Sequence, residues 1–337
     1  MNHRLLPAFV LALLGALGAG VALAQDGSLR DRLRQRQQER ASAVSPVANP
    51  ITTPGDYRAS LEHGGRVRLY RLYVPASYRA DQPAPLLVAL HGGGGGMDYM
   101  GRDDYYGLLS HAERTGQVLL LPNGISRLRS GMLATWNAGE CCGAARDQQV
   151  DDVGYIRAVV ERVQGQLNID AQRIHATGMS NGAMMAYRLA CELPGLFRAI
   201  AAVAGTDNTR SCTPAQPVSV LHIHARNDSH VLYEGGVGPD AVDRALITDF
   251  RSVPETVTRW VERNRCAPTP QRVLEKDGAW CERYAPCAGG TQVQLCVTAA
   301  GGHSWPGGHK PRGEAPTQVI DANDVMWDFF SRQDVLR

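Results

Sequence analysis

The segment GMSNG at residues 178–182 matches the pattern G-x-S-x-G and follows an apolar stretch, RIHAT, at residues 173–177. In a sharp turn between a strand and a helix, such a serine stands exposed at the carboxyl edge of a sheet and can attack a carbonyl carbon. Flanking glycines let the neighbouring backbone pass close by. The pattern therefore predicts that Ser180 is a nucleophile, and an ordinary glycine-rich turn is the alternative interpretation.

A serine nucleophile needs a histidine base, and the base needs an orienting carboxylate. Asp228 comes just after the apolar segment VSVLHIH (218–224), and His303 lies in a glycine-rich loop after TQVQLCV (291–297). The chain order serine, acid, histidine is the order found in α/β-hydrolases. We therefore predict Asp228 as the acid and His303 as the base. The rivals are Asp207, Asp240 and Asp243 for the acid and His309 for the base.

Acyl transfer also needs fixed N–H donors for the negative charge that develops on the carbonyl oxygen. The segment LHGGGGG (90–96) ends an apolar run and resembles the HGGG type of oxyanion loop. We predict that the backbone amides of Gly93 and Asn181 hold the oxyanion. A phosphate-binding loop is the competing interpretation, but no Gly-Lys-Ser/Thr sequence follows.

A metal site is an alternative for the histidine-rich segment between residues 222 and 230. His222 and His224 point to the same face of a strand, as two ligands would, and Asp228 and His230 follow. Further ligands from elsewhere are not apparent in the sequence. We therefore expect the two strand histidines to be partly buried supports of the acid loop, and we predict neither a metal nor any other cofactor.

The elements that must position these residues alternate between strands and helices. Apolar runs predict strands, and helical spacing predicts the segments between them. The pattern predicts one doubly wound α/β domain with a mostly parallel sheet and helices on both faces. The predicted strands are 67–74, 85–90, 117–121, 173–177, 199–203, 218–224 and 291–297, and the predicted helices are 98–115, 152–167 and 182–193.

The beginning of the chain and its composition indicate an exported protein. Residues 1–24 have a short basic start, an apolar run and an A-x-A ending, which is typical of a secretory signal peptide. An uncleaved membrane anchor is the alternative. Residues 25–54 are predicted to be a polar, basic linker, and residues 55–335 the catalytic domain. The net charge of only +2 argues against nucleic-acid binding. We expect an extracellular or periplasmic monomer with no stable membrane association after cleavage.

Eight cysteines in an exported chain indicate disulfide bonds rather than metal ligands. Four of them lie in the last quarter, and we predict the pairs Cys266–Cys287 and Cys281–Cys296. A vicinal bridge between Cys141 and Cys142 is one interpretation of the remaining four. Separate pairing of Cys141 and Cys142 with Cys191 and Cys212 is the expectation we prefer.

With these residues identified, residues 55–335 resemble the secreted esterase family that groups polyhydroxybutyrate depolymerases with feruloyl esterases. The resemblance implies the α/β-hydrolase fold, with Ser180 as nucleophile, Asp228 as acid and His303 as base. The segments that carry it are LHGGGGG (90–96), WNAGECCG (136–143), DDVGYI (151–156), ATGMSNGAMMAYRLACE (176–192), VLHIHARNDSHVLYEGG (220–236) and GGHSWPGG (301–308).

The resemblance implies a serine esterase whose partner is an ester substrate. The predicted substrate is a 3-hydroxyacid polyester of the polyhydroxybutyrate type or its oligomers. The alternatives are feruloyl or acetylxylan esters of plant cell walls and, more remotely, a non-catalytic hydrolase fold that binds carbohydrate. Trp136, His230 and Trp305 are candidate substrate contacts, and packing of Trp136 under its loop is an equally favoured interpretation. In the family, the acid is usually followed by proline, whereas this chain has Ser229 there.

Overall fold

The computed structural model describes residues 49–128, 130–241 and 249–335. Residues Pro46–Arg337 fall in one compact unit. The predicted signal peptide and most of the predicted linker lie outside the described residues, so both stay predictions. Within the described ranges, no helix has both the length and the apolar character needed to cross a membrane.

Ten strands of the described residues form one sheet in the order β1-β2-β4-β3-β5-β6-β7-β10-β9-β8. The six strands from β4 to β10 in this order pair in parallel, and the outer strands pair antiparallel. The strands are β1 (Gly55–His63), β2 (Arg66–Val74), β3 (Ala84–Leu90), β4 (Val118–Pro122), β5 (Ile169–Met179), β6 (Ala199–Val203), β7 (Ser219–Ala225), β8 (Gln271–Lys276), β9 (Ala279–Tyr284) and β10 (Val293–Thr298).

Helices cover both faces of this sheet. Their bounds are α1 (Met97–Met100), α2 (Asp103–Tyr106), α3 (Leu108–Thr115), α4 (Gly143–Asp147), α5 (Asp152–Gln166), α6 (Asn181–Glu192), α7 (Val253–Arg263) and α8 (Ala322–Val335), with a 3₁₀ turn at Ala288–Gly290. Every residue of β3, β4, β6, β7 and β10 is buried, as expected for strands with helices on both sides. The predicted doubly wound, mostly parallel sheet is thus confirmed.

The face that bears α8 holds a large apolar core. Met326 and Phe330 of α8 pack there with alternate residues of the central strands, such as Leu87 and Ile223. The opposite face meets α6, where the buried Tyr187 contacts His222 of β7. Because side chains alternate along a strand, His222 and His224 both face α6.

Two local predictions need correction. The predicted helix over 98–115 is three short helices. Gly101 ends α1, and Gly107, whose φ is +63°, ends α2. The preferred pairing of the early cysteines was also wrong, since Cys141 is bonded to Cys142 and Cys191 to Cys212. The pairs Cys266–Cys287 and Cys281–Cys296 are confirmed.

Candidate active site

Ser180 occupies the turn between β5 and α6 in a conformation that is rare for a residue with a side chain. Its φ is +56° and its ψ is −121°, which costs on the order of 1–3 kcal/mol. The two flanking glycines are required by close approach of the backbone. A Cβ on Gly178 would lie 2.4 Å from the carbonyl of Gly182, and a Cβ on Gly182 would lie 2.2 Å from the oxygen of Leu90. The turn therefore keeps Ser180 partly exposed at the carboxyl end of β5.

The predicted acid and base meet in the structure. The Nδ1 atom of His303 lies 2.8 Å from Oδ2 of Asp228, although the two residues are 75 positions apart in the chain. Asp228 follows β7 and His303 follows β10, which are neighbours in the parallel part of the sheet. Asp228 is 2% exposed, whereas His303 is only partly buried. The carboxylate therefore orients an imidazole that remains accessible.

Asp228 is held as a carboxylate by several N–H donors. Its Oδ1 accepts hydrogen bonds from the amides of His230 and Val231, at 2.8 and 2.9 Å. Burial alone would raise the pKa of Asp228. The facing His303, together with hydrogen bonds from His224 and His303, outweighs burial and holds that pKa well below its ordinary value. Asp228 is therefore ionised in the folded protein at neutral pH.

The rival candidates are placed differently. The buried Asp207 forms an ion pair with Arg263, at 2.6 Å, and accepts a hydrogen bond from Trp260. Asp240 and His309 are exposed, and Asp243 lies outside the described residues. A buried carboxylate paired with a guanidinium has a structural role, since arginine cannot exchange a proton at ordinary pH.

The predicted oxyanion loop lies against the nucleophile turn. A Cβ on Gly92 would be 3.5 Å from the Cβ of Ser180, and a Cβ on Gly93 would be 3.6 Å from the Cβ of Asn181. Within the described ranges, the amide of Gly93 donates to no backbone carbonyl. The amide of Asn181 belongs to the first turn of α6, where helix N–H groups have no partner within the helix. The two predicted donors are therefore neighbours.

His91 fixes the conformation of this loop. Its Nε2 accepts a hydrogen bond from the amide of Gly124, at 2.9 Å, so its Nδ1 carries the proton and donates to the oxygen of Gly92. Burial lowers the pKa of His91 to about 4, which keeps the ring neutral. A neutral ring in one tautomer holds the glycine run in place.

Trp136 does not line an open surface, contrary to its prediction as a substrate contact. Its side chain is fully buried, and its Nε1 donates to the oxygen of His91. Its backbone forms two hydrogen bonds with the side-chain amide of Asn181, at 2.7 and 3.1 Å. Trp136 therefore holds His91, at the start of the predicted oxyanion loop, and the side chain of Asn181 in place. A tryptophan in a polar segment gives no local signal of such a role.

The other two candidate contacts lie beside His303. His230 is half-buried, and its ring stacks on the ring of His303 with centroids 4.6 Å apart. Trp305 is only 2% exposed and packs edge-on against Tyr106, whose hydroxyl reaches the sulfur of Met179 at 3.8 Å. Tyr106 therefore connects the histidine loop to the residue before Ser180. Burial of Trp305 corrects its prediction as a substrate contact, whereas His230 remains accessible.

The predicted alternative of a metal site is not formed by the strand histidines. Both ring nitrogens of His222 are occupied, by Tyr187 at 2.7 Å and by His224 at 3.1 Å. A different group, Asp228, His230 and His303, has donor atoms within 4.8 Å of one another. However, the two histidine rings are stacked with an angle of only 15° between their planes, so their lone pairs lie in nearly parallel planes, which is unfavourable for two ligands of one ion.

The chain is similar in sequence to several known proteins. Residues 68–243 match the family described as Esterase PHB depolymerase. Feruloyl esterase B of Piromyces equi is 29% identical over 240 residues, which cover 68% of this chain and 41% of that protein. The chain therefore spans less than half the length of that relative. Feruloyl esterase C of Emericella nidulans is 28% identical over 269 residues, which cover 78% of this chain and 83% of the relative.

A solved structure is similar in fold. The acetyl xylan esterase from Aspergillus awamori superposes with a TM-score of 0.55 at 14% identity, over 81% of this chain and 98% of that one. Such a likeness carries the fold alone. Together with the mostly parallel sheet, it confirms the predicted α/β-hydrolase fold.

Proposed function

The chain belongs to the Esterase PHB depolymerase family, and we propose that it is a secreted serine hydrolase of carboxylic esters. The observation that carries the proposal is the 2.8 Å hydrogen bond between His303 and Asp228. It is formed at the same sheet edge as the strained turn of Ser180. The signal-peptide pattern and four disulfide bonds support secretion.

The proposed reaction has two steps with one covalent intermediate. His303 Nε2 takes the proton of the Ser180 hydroxyl as Oγ attacks the ester carbonyl, and the amides of Gly93 and Asn181 bind the oxyanion. The C–O bond to the alcohol then breaks, and His303 returns the proton to the leaving alkoxide. Water repeats the cycle on the acyl-enzyme, which releases the acid and frees the serine. Asp228 keeps the Nδ1 proton of His303 in place, so Nε2 is the basic atom.

Replacing the nucleophile tests the proposal. We expect Ser180→Ala to lower kcat for p-nitrophenyl butyrate by on the order of 10⁴- to 10⁶-fold. A fluorophosphonate probe should label the wild-type protein and not this variant, because only an activated serine reacts with it. Ser60→Ala, on β1, is the matched control and should behave as wild type.

Labelling also separates the enzyme from the non-catalytic alternative. A wild-type protein that binds carbohydrate but neither reacts with the probe nor hydrolyses short esters would exclude the esterase. Full turnover by Ser180→Ala would exclude the serine mechanism.

We propose 3-hydroxyacid polyesters of the polyhydroxybutyrate type, or their oligomers, as the substrate class. The family description supports this choice. Plant cell-wall esters are the second candidate, and two observations favour them. Relatives are named feruloyl esterases. In addition, the partly exposed ring of Tyr99 contacts the rings of Tyr105 and Tyr106, and Tyr106 contacts Met179, so aromatic rings lie near the turn of Ser180. Turnover of 3-hydroxybutyrate trimer, methyl ferulate and acetylated xylan by one preparation decides between the classes.

A further inference from the structure

A line of buried hydrogen bonds leads from α6 to the carboxylate of Asp228. The hydroxyl of Tyr187 lies 2.7 Å from Nδ1 of His222, and Nε2 of His222 lies 3.1 Å from Nδ1 of His224. The Nε2 of His224 then lies 2.8 Å from the oxygen of Val231 and 3.3 Å from Oδ2 of Asp228. All of these side chains are at most 2% exposed. We call Tyr187, His222 and His224 the buried relay.

The acceptors at one end of the buried relay set the direction of its hydrogen bonds. A carbonyl and a carboxylate only accept, so Nε2 of His224 carries a proton. With one proton on each ring, His224 accepts at Nδ1, His222 donates from Nε2, and Tyr187 donates to Nδ1 of His222. Burial lowers the pKa of His222 well below its ordinary value and raises that of Tyr187 well above. Both groups are therefore neutral, which is the state this arrangement requires.

The relay reaches the same carboxylate oxygen that the base uses. Oδ2 of Asp228 accepts from His303 at 2.8 Å and faces Nε2 of His224 at 3.3 Å. At its other end, Tyr187 lies on α6, the helix that begins directly after Ser180. The acid loop and the nucleophile helix are therefore joined through the protein interior.

We propose that Tyr187, His222 and His224 are positioning residues that hold the carboxylate of Asp228 in the orientation that His303 requires. The inference rests on the proposed serine esterase function, because the relay matters for catalysis only if Asp228 orients a base. A relay that served only to stabilise the fold would lower stability when broken and would leave turnover by the folded protein unchanged.

His175 offers a matched control for loss of a buried imidazole. It lies on β5, is 1% exposed and stacks on Phe330 with centroids 4.3 Å apart. Among the described residues, neither of its ring nitrogens has a hydrogen-bond partner. His175→Leu therefore tests the cost of replacing a buried histidine that is outside the relay.

The test compares His224→Leu, His224→Gln, Tyr187→Phe and His175→Leu with wild type, using p-nitrophenyl butyrate. Removing a donor to a charged group should lower kcat by roughly 10- to 100-fold in His224→Leu, with KM within about twofold. Glutamine keeps an N–H near the position of Nε2, so His224→Gln should recover most of the loss. Tyr187→Phe should lower kcat by roughly 2- to 10-fold, and His175→Leu should leave kcat unchanged.

Two further readouts keep the result interpretable. The low-field NMR resonance of the His303 Nδ1 proton should weaken or shift in His224→Leu and Tyr187→Phe but not in His175→Leu. Urea unfolding confirms that each variant is folded under assay conditions. Tyr187→Phe removes a single oxygen atom, so it provides the test if His224→Leu does not fold.

Unchanged kcat and an unchanged resonance in folded Tyr187→Phe and His224→Leu would overturn the inference. Equal loss of kcat in His224→Leu and His224→Gln would also overturn it, because the donor would then be irrelevant. Ser180→Ala separates these outcomes from failure of the proposed function. If that variant loses turnover and labelling while the relay variants keep both, only the relay inference fails.

Discussion

Asp207 and Asp228 follow neighbouring parallel strands and are both buried carboxylates, yet their surroundings differ in kind. Asp207 is bound by the guanidinium of Arg263, the indole N–H of Trp260 and the amide and hydroxyl of Thr209. Asp228 is bound by two imidazoles and two backbone amides. The first carboxylate has a partner of permanent charge, whereas the second faces partners that can exchange protons.

The difference supports a structural role for Asp207 and the proposed catalytic role of Asp228. A guanidinium neutralises a buried carboxylate at every ordinary pH, so the pair around Asp207 has no proton to move. In the proposed reaction, Asp228 instead stabilises positive charge on His303 when that ring takes a proton. Both acids follow a strand, so their position in the sequence did not distinguish them. They differ in the type of side chain that each carboxylate faces.

The largest expected effect of this difference is on turnover. Asp228→Asn should lower kcat by about 10⁴-fold, because the new amide N–H would face Nδ1 of His303 and force the proton onto Nε2. Nε2 could then no longer accept the serine proton. Initial rates with p-nitrophenyl butyrate and the unfolding midpoint in urea measure activity and folding separately. A folded Asp228→Asn protein within tenfold of the wild-type rate, on the order of 1.4 kcal/mol in barrier, would contradict the role of Asp228.

The second expected effect is on stability. Asp207→Asn leaves the side chain of Arg263, which is 13% exposed, without its counter-charge. We expect the free energy of unfolding to fall by about 3–5 kcal/mol, while kcat of the folded fraction stays near wild type. Asp328→Asn is the control, because its ion pair with Arg332 is 51–63% exposed and should contribute at most about 1 kcal/mol. Equal losses in the two variants would mean that the buried pair is not special.

Local sequence was sufficient to place Ser180, Asp228 and His303 at the same edge of the sheet, and their roles as nucleophile, acid and base stay predictions. Ser180, Asp228 and His303 each follow an apolar run at a glycine or polar loop, and the carboxyl ends of parallel strands meet at one edge. The central strands were predictable for the same reason. By contrast, β8 is exposed at nearly every position, so it carries no apolar pattern. Its pairing with β9 was therefore not predictable.

The supports of the site depended on contacts between distant segments. His222 and His224 were predicted to be partly buried, whereas both are almost completely buried, and no local signal linked them to Tyr187. Packing of Trp136 under its loop was one of two open interpretations, but its contact with His91 was not predictable for the same reason. Helix α7 was not predicted, although the sequence carried a signal for its start. Ser252 is a typical N-cap residue, and its side chain accepts a hydrogen bond from the amide of Glu255.

The smallest expected effect is a difference in acid sensitivity. Burial lowers the pKa of His222 well below its ordinary value. The unfolded chain therefore binds a proton at His222 below about pH 6.5 that the folded chain does not bind. The free energy of unfolding should then fall as pH falls from about 6 to 4, by up to about 1.4 kcal/mol per pH unit from this group. No such contribution arises at Arg263, which stays charged in both states.

The test is the pH dependence of urea unfolding in His222→Gln and Arg263→Gln. His222→Gln should reduce the slope of unfolding free energy against pH by about 1.4 kcal/mol per unit, because glutamine does not titrate. Arg263→Gln should be less stable at neutral pH and should keep the contribution of His222 to the slope. Since His91 and His175 also have lowered pKa values, of about 4 and about 3, some slope should remain in both variants. If His222→Gln keeps the wild-type slope, His222 is protonated in the folded protein, and the buried imidazoles that lead to Asp228 do not differ in kind from the guanidinium beside Asp207.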